Sequence, residues 1–152
     1  MWGGRGSRMV VMLSLVALCS TGCGKSTSQP SYHRSAAKVP ACTHAGQAID
    51  LPAGFPKDFP LPPHTAITSH TRSFGSIIIK GFVPAQSFNA AHSFFLNRLP
   101  KAGYDLTDQD SEPPREAEAR YSGNGYEGGW RIRLIPGCTG AFTLEASARK
   151  QK

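Results

Sequence analysis

The part of the chain between Thr65 and Ala148 carries two kinds of apolar periodicity. Most of its segments place an apolar residue at every second position, which predicts strands with one apolar face. One segment instead spaces its apolar residues three and four positions apart, which predicts an amphipathic helix. The apolar stripe of this helix consists of Phe88, Ala91, Phe95 and Leu99.

Turn and capping residues divide this pattern into separate elements. Phe74-Gly75 lies between two strands, Ser87 can cap the helix, Gly103 follows its last turn, and Asn124-Gly125 indicates a second hairpin. The predicted fold is therefore α+β with a ββαβββ-like order. It consists of an antiparallel sheet of about five strands with one amphipathic helix packed on one face.

Three segments are predicted to lie outside the regular elements. Residues 108–114 read as an acidic loop after a short strand at 104–107, and residues 122–129 read as a turn. Residues 51–63 hold five prolines, which exclude a helix or a central strand. This proline-rich segment is expected to pack on the domain in an extended form through Phe55, Phe59 and Leu61.

The N-terminus has the order of residues found in a secretory signal. Arg5 and Arg8 precede an apolar run at residues 9–18, and small residues follow at 20–22. A run of this length is too short to cross a bilayer stably. We therefore predict a signal peptide over residues 1–22, with a plain N-terminal membrane anchor as the alternative.

The end of this signal resembles the lipobox of bacterial lipoproteins. The residues are Ser20-Thr21-Gly22-Cys23, whereas the family usually has leucine at the position of Ser20. In that family the cysteine receives a diacylglyceryl group and becomes the mature N-terminus. The resemblance implies lipidation of Cys23, and ordinary signal cleavage without lipid is the alternative. Cys19 fits less well because the large Leu18 precedes it.

The composition after Cys23 is typical of a linker. Residues 24–40 are rich in Ser, Thr, Pro, Lys and Ala and have no apolar periodicity, so they cannot bury a core. The predicted organisation is a signal peptide at 1–22, a lipid-anchored flexible tether at 23–41, a single secreted domain at 42–149 and a basic tail at 150–152.

The number of cysteines agrees with export. If Cys19 leaves with the signal and Cys23 carries lipid, Cys42 and Cys138 remain. Two cysteines in an exported domain predict one disulfide between them. The alternative is a pair of buried free thiols.

The net charge of +7 does not predict binding to nucleic acid, because the domain itself is neutral. The excess of basic residues lies in the signal, the tether and the tail, where it favours an anionic membrane surface near the lipid anchor. Within residues 42–149, the basic residues are Lys57, Arg72, Lys80, Arg98, Lys101, Arg115, Arg120, Arg131, Arg133 and Arg149, and the acidic residues are Asp50, Asp58, Asp105, Asp108, Asp110, Glu112, Glu116, Glu118, Glu127 and Glu145.

The candidate for partner binding is the glycine-rich stretch at residues 121–133. Glycine-rich loops that carry aromatic residues and arginine suit the recognition of sugars, peptides or partner proteins. The alternative is a tight hairpin whose Trp130 fills the core. The candidate residues are Tyr121, Tyr126, Trp130, Arg131 and Arg133.

Catalytic and metal-binding patterns are not evident in the sequence. There is no Gly-x-Ser-x-Gly elbow, and Cys42 and His44 lack the paired spacing of a zinc site. Glu116 and Glu118 share a strand face with Arg120, which is typical of a solvated charged face. We therefore predict no catalytic residues, no metal and no cofactor. The alternative is an envelope hydrolase that uses scattered serine, histidine and acidic residues.

Residues 94–104 resemble a segment of small secreted bacterial domains that have no assigned activity. The sequence Phe-Phe-Leu-Asn-Arg-Leu-Pro-Lys-Ala-Gly-Tyr follows their pattern Phe-Phe-x-x-x-Leu-Pro-x-x-Gly-Tyr. In those domains a helix and the following Gly-Tyr lead into an antiparallel sheet, so the resemblance implies the fold and no activity.

These inferences together predict a membrane-anchored cell-envelope lipoprotein on the extracytoplasmic side. Its role is expected to be binding or structural rather than enzymatic. The expected partners are membrane lipid, through N-terminal acylation, and an envelope protein or wall polymer, bound through the sheet face or the hairpin at 121–133.

Overall fold

The computed structural model of the protein describes residue 37 and residues 39–85 and 87–152. The predicted signal peptide, the predicted lipidation site Cys23 and almost all of the predicted tether lie outside these residues. Residues 39–65 form turns, bends and extended chain, and the regular elements begin after them.

Within the described residues, the chain forms six strands and one helix. The strands make one antiparallel sheet in the order β1-β2-β6-β5-β4-β3. The elements are β1 (Ala66–Ser73), β2 (Ser76–Pro84), α1 (Phe88–Lys101), β3 (Asp105–Glu112), β4 (Glu116–Gly123), β5 (Tyr126–Leu134) and β6 (Ala141–Lys150). The predicted antiparallel sheet with one packed helix is confirmed, with six strands where about five were expected.

The last strand of the chain lies near the middle of the sheet. β6 pairs with β2 on one side and with β5 on the other, and so joins the N-terminal hairpin to the β3–β5 meander. Helix α1 follows β2, the second strand in the sheet, and is followed in the chain by β3, which lies at the opposite edge of the sheet. The helix therefore has to cross one face of the sheet.

The ends of α1 follow from its capping residues. The Ser87 hydroxyl accepts a hydrogen bond from the backbone N–H of Ala90 at 3.2 Å, as expected of an N-cap. Gly103 turns the chain after the helix with a φ of 86°, a conformation that favours glycine. Pro100 lies in the last turn, and the helix ends one residue later at Lys101.

One face of the sheet is buried under α1 and the proline-rich segment. Phe95 of the helix stacks on Trp130 of β5, with ring centroids 4.6 Å apart. Phe59 of the proline-rich segment contacts Tyr121 of β4, with ring centroids 5.2 Å apart. The buried sheet residues of this core are Ile67, Ile77, Ile79, Val83, Ala117, Ala119, Tyr121, Trp130, Ile132, Phe142, Leu144, Ala146 and Ala148.

Strand β3 is longer than the sequence predicted. It runs to Glu112, so most of the loop expected at 108–114 is strand. This edge strand pairs with β4 through its backbone, and its side chains are mostly exposed, which removes the apolar alternation that would have revealed it. Its register shifts between Thr107 and Asp110, where Asp108 has a φ of 46°. A polar, irregular edge also resists pairing with other chains.

The turn expected at 122–129 is reduced to Asn124-Gly125. Gly128 and Gly129 belong to β5 and pair with β4 and β6. A Cβ on Gly128 would lie 1.8 Å from the Ser147 carbonyl oxygen, so the close approach of β5 and β6 requires glycine here. The glycines of this hairpin therefore serve strand packing as well as the turn.

The sheet has two distinct ends. At one end lie the β1–β2 turn, the β4–β5 turn and the C-terminus of β6, and we call this the hairpin end. At the other end lie the β3–β4 turn and the β5–β6 loop, and we call this the loop end.

The predicted disulfide is present at the loop end. Cys42 is bonded to Cys138 in the β5–β6 loop, and their Cα atoms are 5.6 Å apart. The bond joins the start of the domain to a loop 96 residues later in the sequence. It thereby constrains the unfolded chain over almost the whole length of the domain.

We expect loss of this disulfide to lower the free energy of unfolding by about 2–5 kcal/mol, because a long loop is no longer closed in the unfolded chain. Denaturant unfolding with and without reductant measures the effect. The Cys42→Ser/Cys138→Ser variant should match the reduced protein and should not respond to reductant. Equal unfolding midpoints for the oxidised and reduced proteins would contradict this prediction.

Candidate functional site

The five residues predicted to form a binding surface lie on two opposite faces of the sheet. Tyr121 and Trp130 are each only 2% exposed and belong to the core under α1. Tyr126 is partly buried and packs against the same core. Arg131 and Arg133 alternate with Trp130 along β5 and therefore point to the opposite face. The hairpin thus brings together the three aromatic residues and separates them from the two arginines.

The face that carries the arginines is the open face of the sheet. Its centre is a row of alternating charges that crosses β2, β6, β5 and β4. Lys80 Nζ lies 3.3 Å from Glu145 Oε2, and Arg131 Nη2 lies 3.7 Å from Glu145 Oε1. Arg131 Nε lies 3.5 Å from Glu118 Oε2, which completes the row. We call these four residues the charged row.

Further ion pairs flank the charged row. Arg133 donates a hydrogen bond to Glu116, and this bond raises the pKa of Arg133 above its ordinary value. Arg149 Nε donates to Glu127 Oε1 at 2.8 Å. At the edge of the sheet, Arg120 Nε lies 3.8 Å from Asp108 Oδ2.

These pairs define a pattern of charge more than they stabilise the fold. The four side chains of the charged row are 35–56% exposed, and exposed ion pairs of this kind contribute about 0–1 kcal/mol each. Each lysine or arginine in the strands of the open face has an acidic neighbour on an adjacent strand. The face is therefore strongly polar but close to neutral.

A second polar cluster lies on the covered side of the sheet, at the hairpin end. The Tyr104 hydroxyl donates to Asp58 Oδ1 at 2.7 Å, and Asn124 Nδ2 donates to Asp58 Oδ2 at 2.7 Å. Asn124 Nδ2 also donates to the Ala102 carbonyl at 2.7 Å. This Asp58 cluster fastens the proline-rich segment to the end of α1 and to the β4–β5 turn. The sequence pattern did not predict this cluster, because Asp58, Tyr104 and Asn124 are far apart in the sequence.

The pKa values of two buried tyrosines rise far above their ordinary value near 10. For Tyr104 the cause is burial, followed by the hydrogen bond to Asp58. For Tyr121 the cause is again burial, followed by the proximity of Tyr104 and Asp58. The Tyr121 hydroxyl donates to the Ser147 carbonyl at 2.8 Å, so the neutral phenol is the form that fits the fold.

His92 lies on α1 beside the aromatic core. Its ring centroid is 5.8 Å from that of Phe88 and 6.0 Å from that of Trp130, and burial lowers the pKa of His92. The buried Trp130 Nε1 has no hydrogen-bond partner among the described residues. Across that part of the chain, no group of three or more histidine, cysteine, aspartate or glutamate side chains could hold a metal ion.

No protein-family model, curated protein or solved structure matches this chain.

In the part of the chain that the structure describes, no helix has the length and apolar character of a membrane span. The candidate site is defined by its geometry. By that criterion the site is the open face of the sheet. This face carries the largest group of paired charges, and α1 and the proline-rich segment do not cover it.

The two buried tyrosines predict a loss of stability in alkali. Because their folded-state pKa values are raised, their contribution is complete below about pH 10 and is lost as the pH rises above it. We expect a late phase of phenolate absorbance that coincides with loss of the circular dichroism signal. Tyr104→Phe and Tyr121→Phe should each reduce this phase by one tyrosine. Ionisation of all tyrosines in a single step, with the fold intact, would contradict the assignment.

Proposed function

We propose that this protein is a membrane-anchored cell-envelope lipoprotein with a non-enzymatic binding role. The observation that carries this proposal is the Cys42–Cys138 disulfide at the start of the domain. Disulfides persist in oxidising compartments outside the cytoplasm, and they are rare inside it. A domain closed by such a bond directly after a linker-like segment agrees with export and tethering.

The sequence before the domain supports the same location. The apolar run behind Arg5 and Arg8 directs export, and Cys23 lies where a lipobox places the acylated cysteine. Lipid on Cys23 would hold the domain at the extracytoplasmic side of a membrane. This role requires neither a cofactor nor a metal.

The open face of the sheet supports the binding role. Its charged row presents both signs of charge in a fixed register, set by the pairing of four strands. A neutral face with alternating charges does not attract nucleic acid, but it suits a partner that itself carries both signs. We assign such a partner to the class of envelope proteins or wall polymers.

We expect Cys23→Ala to abolish membrane attachment, because the acylated side chain is lost. Cell fractionation and incorporation of an alkyne-labelled fatty acid measure this directly. Cys19→Ala is the matched control and should retain both the label and the membrane fraction. Labelling that survives in Cys23→Ala and disappears in Cys19→Ala would show that the lipidation site is wrong.

The binding role predicts that a partner lies close to the open face in cells. A photo-crosslinking amino acid at Thr143, on that face, should give adducts, whereas one at Asn89, exposed on the outer side of α1, should not. Glu118→Lys should reduce the yield at Thr143 by reversing one charge of the row. Circular dichroism verifies the fold of each variant. Equal yields at the two positions would contradict a role for the open face.

A further inference from the structure

We propose that the hairpin end of the sheet contacts an anionic lipid surface, with Phe74 entering the headgroup region. This inference rests on the envelope location proposed above, and it adds an orientation of the domain on the membrane. Three observations support it: the exposure of Phe74, its backbone conformation and the charges around it.

Phe74 lies at the tip of the β1–β2 hairpin and is 97% exposed. The other large apolar side chain exposed among the described residues is Leu134, at 41%, and it lies at the loop end. An aromatic side chain that is almost fully in water contributes no packing to the fold. Any surface that this ring contacts therefore lies outside the domain.

The backbone conformation at position 74 also disfavours a phenylalanine. Phe74 has a φ of 48° and Gly75 a φ of 79°, so both turn residues adopt left-handed conformations. Such turns favour Asn, Asp or Gly at the first position. The β4–β5 turn follows this preference, with Asn124 at a φ of 51° before Gly125. The fold alone therefore does not account for a phenylalanine at position 74.

Basic side chains surround this end of the sheet. The C-terminal tail lies between the two turns, because the Gln151 N–H donates to the Gly125 carbonyl at 2.9 Å. Two of the acidic residues at this end already have partners. Asp58 accepts hydrogen bonds from Tyr104 and Asn124, and Glu127 is paired with Arg149. The basic residues at the hairpin end are Lys57, Arg72, Lys101, Arg149, Lys150 and Lys152, against Asp58, Asp105 and Glu127.

This combination fits a bilayer surface of anionic lipids. An aromatic side chain at a tip is stabilised at the level of the headgroups, where its ring leaves water. Lysine and arginine side chains around it are attracted to the negative surface within about 10 Å. A single projecting ring among flexible basic chains provides no groove or extended apolar patch for a protein partner.

The predicted tether is long enough for this orientation. It joins the domain at the loop end, which lies about 30 Å from the hairpin end along nine-residue strands. Cys42 follows Cys23 by 19 residues. A chain of that length spans at most roughly 65 Å when fully extended, about twice the distance between the two ends of the sheet. The lipid anchor and the hairpin end can therefore reach the same bilayer surface.

The test uses the purified full chain on vesicles of phosphatidylglycerol and phosphatidylcholine with brominated acyl chains, which quench nearby tryptophan. Phe74→Trp and Leu134→Trp place a probe at opposite ends of the sheet, and the wild-type signal corrects for the other tryptophans. We expect several-fold stronger quenching for Phe74→Trp than for Leu134→Trp. The difference should fall in pure phosphatidylcholine and in Lys150→Gln/Lys152→Gln.

Flotation of Phe74→Asn separates this inference from the proposed function. Asparagine suits the turn, so this variant keeps the fold while removing the ring. If Cys23 is acylated, Phe74→Asn still floats with the vesicles, and the quenching pattern alone tests the orientation. If the chain carries no lipid, flotation on anionic vesicles should fall about tenfold in Phe74→Asn. Equal quenching at positions 74 and 134, or no quenching at 74, would overturn the inference.

Discussion

The structure depends on burying one face of a six-stranded sheet. That face carries most of the buried apolar side chains of five strands, whereas the edge strand β3 is largely polar, and α1 and the proline-rich segment cover the face together. Removing a buried aromatic side chain such as Phe95 or Trp130 typically costs about 3–5 kcal/mol. The exposed pairs of the charged row contribute far less each. Packing on the covered face therefore contributes most to stability, and the exposed charged row of the open face is free to vary in chemistry.

The same asymmetry assigns different tasks to different parts of the molecule. The Asp58 cluster fastens the proline-rich segment at the hairpin end, and the disulfide fastens the start of the domain at the loop end. The open face presents fixed charges of both signs, which is a property useful for recognition and of little value for stability. The hairpin end adds an exposed aromatic tip and basic side chains. Binding and membrane contact are thus proposed for surfaces whose side chains the fold does not require.

Periodicity predicted the parts of the fold that bury apolar side chains. The helix stripe from Phe88 to Leu99, the cap at Ser87 and the turn at Phe74-Gly75 are as expected, because local spacing and local hydrogen bonds determine them. The disulfide followed from counting cysteines. For strand β3 only the first residues were predicted, because the rest of its side chains are polar and its pairing uses only the backbone.

The candidate site was harder to predict because it depends on which face each residue occupies. Composition grouped Trp130 with Arg131 and Arg133, but the alternation along β5 places them on opposite sides of the sheet. The charged row combines residues of four strands, and its order depends on β6 lying between β2 and β5. Phe74 could have been noticed from sequence, since a bulky residue before Gly75 is unusual in a two-residue turn.

The central claim is that α1 and the proline-rich segment cover one face of the sheet. Hydroxyl-radical footprinting with mass spectrometry tests it most directly, because Trp130 and Tyr121 are intrinsically reactive but buried. The structure predicts rapid modification of Phe74 and strong protection of Trp130 and Tyr121 until the protein unfolds. Modification of Trp130 in the folded protein as fast as that of Phe74 would contradict it.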